Sequence, residues 1–191
     1  MQSEKLQIKF FAKLGAGFDV EAIVPVFHRF IRERVFDELM IDVADYKHVK
    51  NGPGIVLVGD ANDYYFDEGE GRPGLLFSRK RHGSAPDGRL REGFARALRA
   101  CKALEEAPEL AGRVSFSTDE ILVRLPDRLR APNDDASFAE ASKELSALLD
   151  KLYGAGAFSI TRGPAAPAAL ELRVKATASP AVASLLSSLG A

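Results

Sequence analysis

Leu6, Ile8, Phe10, Ala12 and Leu14 alternate with Gln7, Lys9, Phe11 and Lys13 near the start of the chain, the two-residue period of a strand with one buried face. Gly15 and Gly17 end that run. The segment IVPVFHRFIRERVF then sets Val24, Phe27, Ile31 and Val35 at helical spacing, with Arg29, Arg32 and Arg34 on the wet side. Pro25 is tolerable there only in the first turn. LMIDVADY at 39–46 and IVLVGDA at 55–61 flank HVKNGPG, whose Asn-Gly and Pro-Gly pairs predict a turn and so a hairpin. LLFSRKR at 75–81 follows the loop DEGEGRPG and extends the sheet as a meander. Residues 89–105 read as a helix with Leu90, Phe94, Leu98 and Cys101 on one stripe.

In the second half, SFST and ILVRL, joined by Asp119 and Glu120, predict a second hairpin. Asp135 precedes a helix whose stripe is Phe138, Ala141, Leu145, Leu148 and Leu152 and whose stop is Gly154. FSITR and LELRVKA are further strands. Ser179 and Pro180 are placed to cap and open a short terminal helix carrying Val182, Leu185, Leu186 and Leu189. Strand follows strand through turns too short for parallel crossovers, so the expected class is α+β, a mainly antiparallel sheet or sheets with about four helices on one face. A single compact domain over 1–191 is expected. The stretch 107–113 is a candidate boundary between a βαβββα lobe at 1–108 and a ββαββα lobe at 113–191.

Composition narrows the function classes. At 46% hydrophobic and 28% charged, the 191 residues match ordinary globular usage rather than a disordered chain. Lys and Arg total 26 against 27 Asp and Glu, a net charge of -1, so no whole-molecule field draws the chain to nucleic acid, which is disfavoured as a partner. No apolar run is long enough for a membrane span or a signal peptide, and a cytoplasmic location with no membrane partner is the expectation. A lone cysteine, Cys101, leaves no internal disulfide and no multi-cysteine metal site.

VFHRFI followed by IDVADYKHVKNGPGIVLVG resembles a motif of an uncharacterised family of bacterial cytosolic proteins. The resemblance covers the chain up to about residue 80 and implies a bacterial, soluble protein, with no activity, cofactor or catalytic residue attached.

Two constellations could carry chemistry. His28, Asp42, Asp45, His48, Asp60 and Asp63 gather around the first hairpin, and imidazole with carboxylate is the donor set of zinc or non-haem iron. Asp42 and His48 stand about 20 Å apart if the strand runs extended, too far to share an ion. Asp42 with Asp60 across the hairpin and His28 from the helix is the workable version, provided the register puts both aspartates on one face. The ordinary reading is that these are edge, turn and helix-surface residues, and no metal site is assigned.

The second constellation is a charge asymmetry. Residues 60–71 hold five acids and no base, whereas residues 79–102 are net +6. Arg89, Arg96 and Arg99 on the helix, beside Arg79 and Arg81, would form a row able to pair with phosphates or carboxylates. A solvated helix face, or pairing with the acidic loop upstream, explains the same residues without a ligand. Gly15-Ala16-Gly17 lacks the rest of any phosphate-loop pattern. No nucleophile elbow is present, and His48 and His82 have no serine or cysteine partner in sequence. Tyr64, Tyr65 and Phe66 alternate near a strand end and suit either a pocket mouth or the core.

Two function classes follow. One is a non-catalytic binding or assembly module for a protein partner, a second copy of the chain or a small anionic ligand. The other is a metal-assisted or acid–base enzyme acting through His28, Asp42, Asp60 and His48. No cofactor is named by these residues.

Overall fold

The computed structural model describes residues 3–50, 52–80 and 88–190. Among them, one eight-stranded antiparallel sheet and four α-helices build an α+β fold. The strands are β1 (Leu6–Leu14), β2 (Met40–Asp45), β3 (Ile55–Gly59), β4 (Asn62–Asp67), β5 (Gly74–Arg79), β6 (Val114–Leu125), β7 (Phe158–Arg162) and β8 (Leu170–Ala176). Their spatial order is β2-β3-β4-β5-β1-β6-β8-β7. β1 therefore lies inside the sheet, paired with β5 on one side and β6 on the other, and the sheet runs unbroken across the chain positions 107–113.

The helices are α1 (Ile23–Glu33), α2 (Arg89–Glu105), α3 (Asp135–Tyr153) and α4 (Val182–Leu189). α1 packs on β2 and β3, α2 on β5, β1 and β6, and α3 on β7 and β8, while α4 fills the space against α2 and α3. Strand alternation decides which side they take. Leu6, Ile8 and Phe10 of β1, Leu75 and Phe77 of β5, and Ile121 and Val123 of β6 are register neighbours with one parity. All of them are buried against the helices. Phe94 of α2 meets Phe10 edge-on with ring centres 6.1 Å apart.

The bounds of α2 match the periodicity, and α3 starts one residue earlier than expected, with Asp135 its first residue, the Asp134 side chain accepting from Ser137 N–H as the cap, and Gly154 closing it. Four expectations need correction. SFST and ILVRL are not a hairpin but one strand, β6. The two-residue step from Phe10 to Ala12 on β1 faces the five-residue step from Phe116 to Ile121 on β6, so the polar residues between them form a bulge rather than a turn. Its buried Thr118 is pinned by the Tyr153 hydroxyl and by the segment at Ser179 and Pro180. NDYYFD is a full strand, β4, because Asn62, Tyr64 and Phe66 take the buried parity opposite Leu57 and Phe77. The buried stripe of α1 is Ile23, Val26, Phe27 and Phe30, and Val35 lies exposed past its end, where Arg34 turns left-handed. Ala181, not Ser179, caps α4. No helix among the described residues is long and apolar enough to cross a membrane.

Candidate functional site

Because the helices take one face of the sheet, the opposite parity of each strand is left to cover the other face by itself. Its central rung runs Tyr65, Leu76, Lys9, Leu122 and Arg173 across β4, β5, β1, β6 and β8. The next rung runs Asp63, Ser78, Gln7, Arg124 and Glu171. These rungs are about 7 Å apart, two residues along a strand. Between them and the β4–β5 connection lies a groove of about 430 Å³ whose floor is Leu76, Leu122 and Phe11 and whose charged walls are Lys9, Asp67, Glu70 and Arg124.

The walls are held by ion pairs. The Lys9 ammonium, almost wholly buried, donates to Asp67, whose other oxygen accepts the Gly69 N–H at 3.2 Å. Gly74 is required beside it, since a β-carbon there would stand 2.3 Å from the Phe10 carbonyl oxygen and 3.0 Å from Lys9 Cε. The buried Glu171 carboxylate accepts from Arg124 at 2.8 Å and from Arg173 at 2.7 Å. Burial opposes its ionisation, but these two arginines outweigh that and leave its pKa below the ordinary carboxylate value. Above Phe11, Arg72 lies with its guanidinium carbon 3.8 Å from the ring centre and grips Glu120 in two hydrogen bonds of 2.7 and 2.8 Å.

A second polar cluster lies on the helix-covered face. Glu38, in the turn between α1 and β2, accepts from the Asn62 side-chain amide at 3.0 Å, the Tyr64 hydroxyl at 3.0 Å and Arg96 at 3.2 Å. Glu92 joins Arg96 to the buried Arg79 at 2.9 and 2.7 Å. Asn62 and Arg79 are register partners, and one atom of each, Oδ1 and Nη1, has no hydrogen-bond partner. A larger recess of about 840 Å³ adjoins this cluster, but its walls all come from the single segment between Ile31 and Met40. That is the hollow of one turn, whereas the groove is built by side chains converging from β1, β4, β5 and β6.

The residues singled out in sequence fall as follows. His28 is exposed on α1, and His48 is exposed in the β2–β3 turn. Asp42 sits opposite Val58 and accepts its neighbour Val43 N–H, while Asp60 lies beyond the end of β3, so the two are not cross-strand partners. Asp45 accepts Lys47 N–H, and the buried Asp63 accepts from Lys80 and from Gly59 N–H. Among the described residues, no three His, Cys, Asp or Glu side chains are grouped to hold a metal ion.

Of the basic row, Arg79 and Arg96 turn inward to Glu92 and Glu38, Arg89 donates to the Ser3 carbonyl oxygen, and Arg99 is exposed. Arg81 and His82 lie outside the described residues. The acidic loop pairs elsewhere: Asp67 with Lys9, and Glu70 with Arg173 at 3.8 Å. Cys101 is buried on α2, and burial pushes its thiol well above its ordinary value.

Sequence reasoning missed Lys9, Phe11, Arg72, Glu120, Arg124, Glu171 and Arg173. The signal available was parity, which put Lys9 and Phe11 on the polar side of β1. What could not be seen was that β5 and β6 flank β1 and bury that side. No protein-family model matches the chain, and no curated protein matches it closely enough to lend it a family.

Proposed function

We propose that this chain is a ligand-binding module whose site is the groove on the helix-free face of its sheet, and that it acts by holding a small, partly apolar molecule rather than by transforming it. The observation that carries this reading is the combination of an apolar floor with charged walls of which Lys9, Asp67 and Arg124 are already locked in ion pairs. A groove of about 430 Å³ has the size of an ordinary small-molecule site, and convergent polar groups over apolar side chains are what orient a ligand. Lys9 and Asp67 are committed to each other and Arg124 to Glu171, which suits fixed recognition better than proton transfer.

The test is a methyl and aromatic NMR titration with a panel of small amphipathic molecules. Saturable shifts at Leu76, Leu122 and Phe11 are expected. Saturable shifts confined to the recess at 31–40, or none at all, would overturn the proposal.

A further inference from the structure

We infer that the mouth of this groove is a site for a small oxyanion, the carboxylate or phosphate head of an otherwise apolar molecule, bound between Arg72 and Arg173 in the place that Glu120 and Glu70 now take. The inference rests on the ligand-binding reading of the groove and adds the chemical class of the ligand.

Phe11, Glu70, Arg72, Glu120, Leu122 and Arg173 line a narrow cleft that adjoins the groove and has only about 10 Å³ free while the glutamates are in place, so a head group enters it only by taking their positions. Its charges balance, so the net charge of the lining says nothing about the sign of a ligand. What decides the sign is which partners are fixed. Arg72 is laid on the Phe11 ring at 3.8 Å, and Arg173 is tied at 2.7 Å to Glu171, a side chain only 4% exposed. Both cations keep these anchors whatever happens to their second partners.

The second partners are the replaceable ones. Glu70 is 62% exposed and only 3.8 Å from Arg173, and Glu120 is 28% exposed. The Glu70 pair is long and exposed and therefore weak, because water and salt compensate each ion when they part, whereas Glu120 holds Arg72 in two short hydrogen bonds and is the stronger competitor that a ligand has to displace. Glu70 also sits in a left-handed backbone conformation (φ 61°) beside Gly71 (φ 67°), in a tight turn at the surface. An incoming carboxylate or phosphate therefore exchanges one acceptor for another on two preplaced guanidinium groups. An incoming cation would have to displace arginines that are held by stacking and by a buried acid. The apolar part of such a ligand continues onto Leu122 and Leu76, the floor of the groove.

The experiment is a titration with hexanoate, hexyl phosphate, inorganic phosphate and, as the uncharged control, hexanol. It is followed at the Arg72 and Arg173 side-chain Nε resonances and at the Leu76 and Leu122 methyls, in the unmodified protein and in Arg72→Gln, Arg173→Gln and Glu120→Gln. Hexanoate and hexyl phosphate should bind more tightly than hexanol, and comparison of the two shows which head group the site prefers. Glu120→Gln, which removes the competing charge and leaves the arginine, should tighten binding by about 5-fold. Arg72→Gln and Arg173→Gln should each weaken it by about 10-fold or more, the loss of a charge-assisted hydrogen bond. Equal affinity for hexanol and hexanoate, or unchanged affinity in both arginine variants, with the leucine methyls still shifting, overturns the oxyanion site and leaves the groove. No saturable shift with any probe overturns both.

Discussion

Glu38 and Tyr64 are joined by a 3.0 Å hydrogen bond that ties the turn after α1 to the interior of the sheet. Phe36 from the same turn stacks on the Tyr64 ring with centres 4.5 Å apart, so one residue of β4 anchors the turn through both its ring and its hydroxyl. Removing the hydroxyl leaves Glu38 with Asn62 and Arg96. Removing the carboxylate takes the acceptor from four donors at once, the Asn62 N–H, the Asn62 side-chain amide, the Tyr64 hydroxyl and Arg96. Tyr64→Phe should therefore cost about 1.5 kcal/mol, and Glu38→Ala about 3 kcal/mol. Urea unfolding of both variants checks the order, and equal costs would mean the carboxylate is not the hub.

Lys9 and Asp67 form the most buried ion pair of the groove wall. A buried pair contributes little net stability, yet a single member left alone is costly. Lys9→Met should lose about 3 kcal/mol, whereas Lys9→Met with Asp67→Leu should recover most of it. A double-mutant cycle by chemical denaturation measures the coupling.

Gly93 lets α2 lie close on the sheet. A β-carbon there would stand 2.9 Å from Leu6 Cδ2, 3.0 Å from Ile8 Cδ1 and 3.4 Å from Phe77 Cε1. Alanine gains about 1 kcal/mol over glycine inside a helix, but overpacking costs about 1 to 3 kcal/mol. Gly93→Ala should thus be destabilised by about 1 kcal/mol, the balance of those terms, and Gly93→Val by more. A stabilised alanine variant would show that the leucine and isoleucine tips yield freely.

Stability should fall at both ends of the pH scale. The Arg72 hydrogen bonds hold the Glu120 carboxyl below its ordinary range, Arg29 does the same for Glu109, and Glu171 is lowered by Arg124 and Arg173 against its burial. A carboxyl depressed by folding contributes stability that is present above its unfolded pKa of about 4.3 and lost as pH drops through the lower folded value. Glu105, raised by burial, opposes this, since its contribution is present at low pH and is lost as pH rises. Asp134, held down by the Ser137 N–H at the start of α3, acts in the same direction as these three, so with four groups against one, acid should destabilise below about pH 4. At the other end, burial and then the Asp63 charge push Tyr65 up to about 12, and burial raises Tyr64 and Tyr153 as well. Their contribution is complete below about pH 10 and lost as pH climbs toward the raised values. Melting temperature against pH, with tyrosinate absorbance on the alkaline side, tests both limbs.

Cys101 should stay unlabelled by a thiol reagent in the native protein and react at once in denaturant, because the thiolate is the reactive species and burial disfavours it. Rapid native labelling would mean that α2 opens locally.

Local pattern alone determined a good part of this protein. The alternation at 6–14 located β1, the stripes through Phe94, Leu98 and Cys101 and through Leu145, Leu148 and Leu152 located α2 and α3, and the Asn-Gly and Pro-Gly pairs located the β2–β3 turn, because side-chain period and turn chemistry act between near neighbours. Tertiary structure decided the rest. Asp119 and Glu120 look like a turn until β1 and β8 are laid beside them, when they become part of a bulged strand. Lys9 looks like a solvent-facing lysine until β5 and β6 close on either side and the loop after β4 brings Asp67 to it. The groove and the cleft beside it join residues from 9 to 173, and no local period reports on pairing across that separation. Strand order, register and the choice of face are settled by which long-range packing buries the most apolar surface, so the acids and arginines that meet there were legible as types but not as partners.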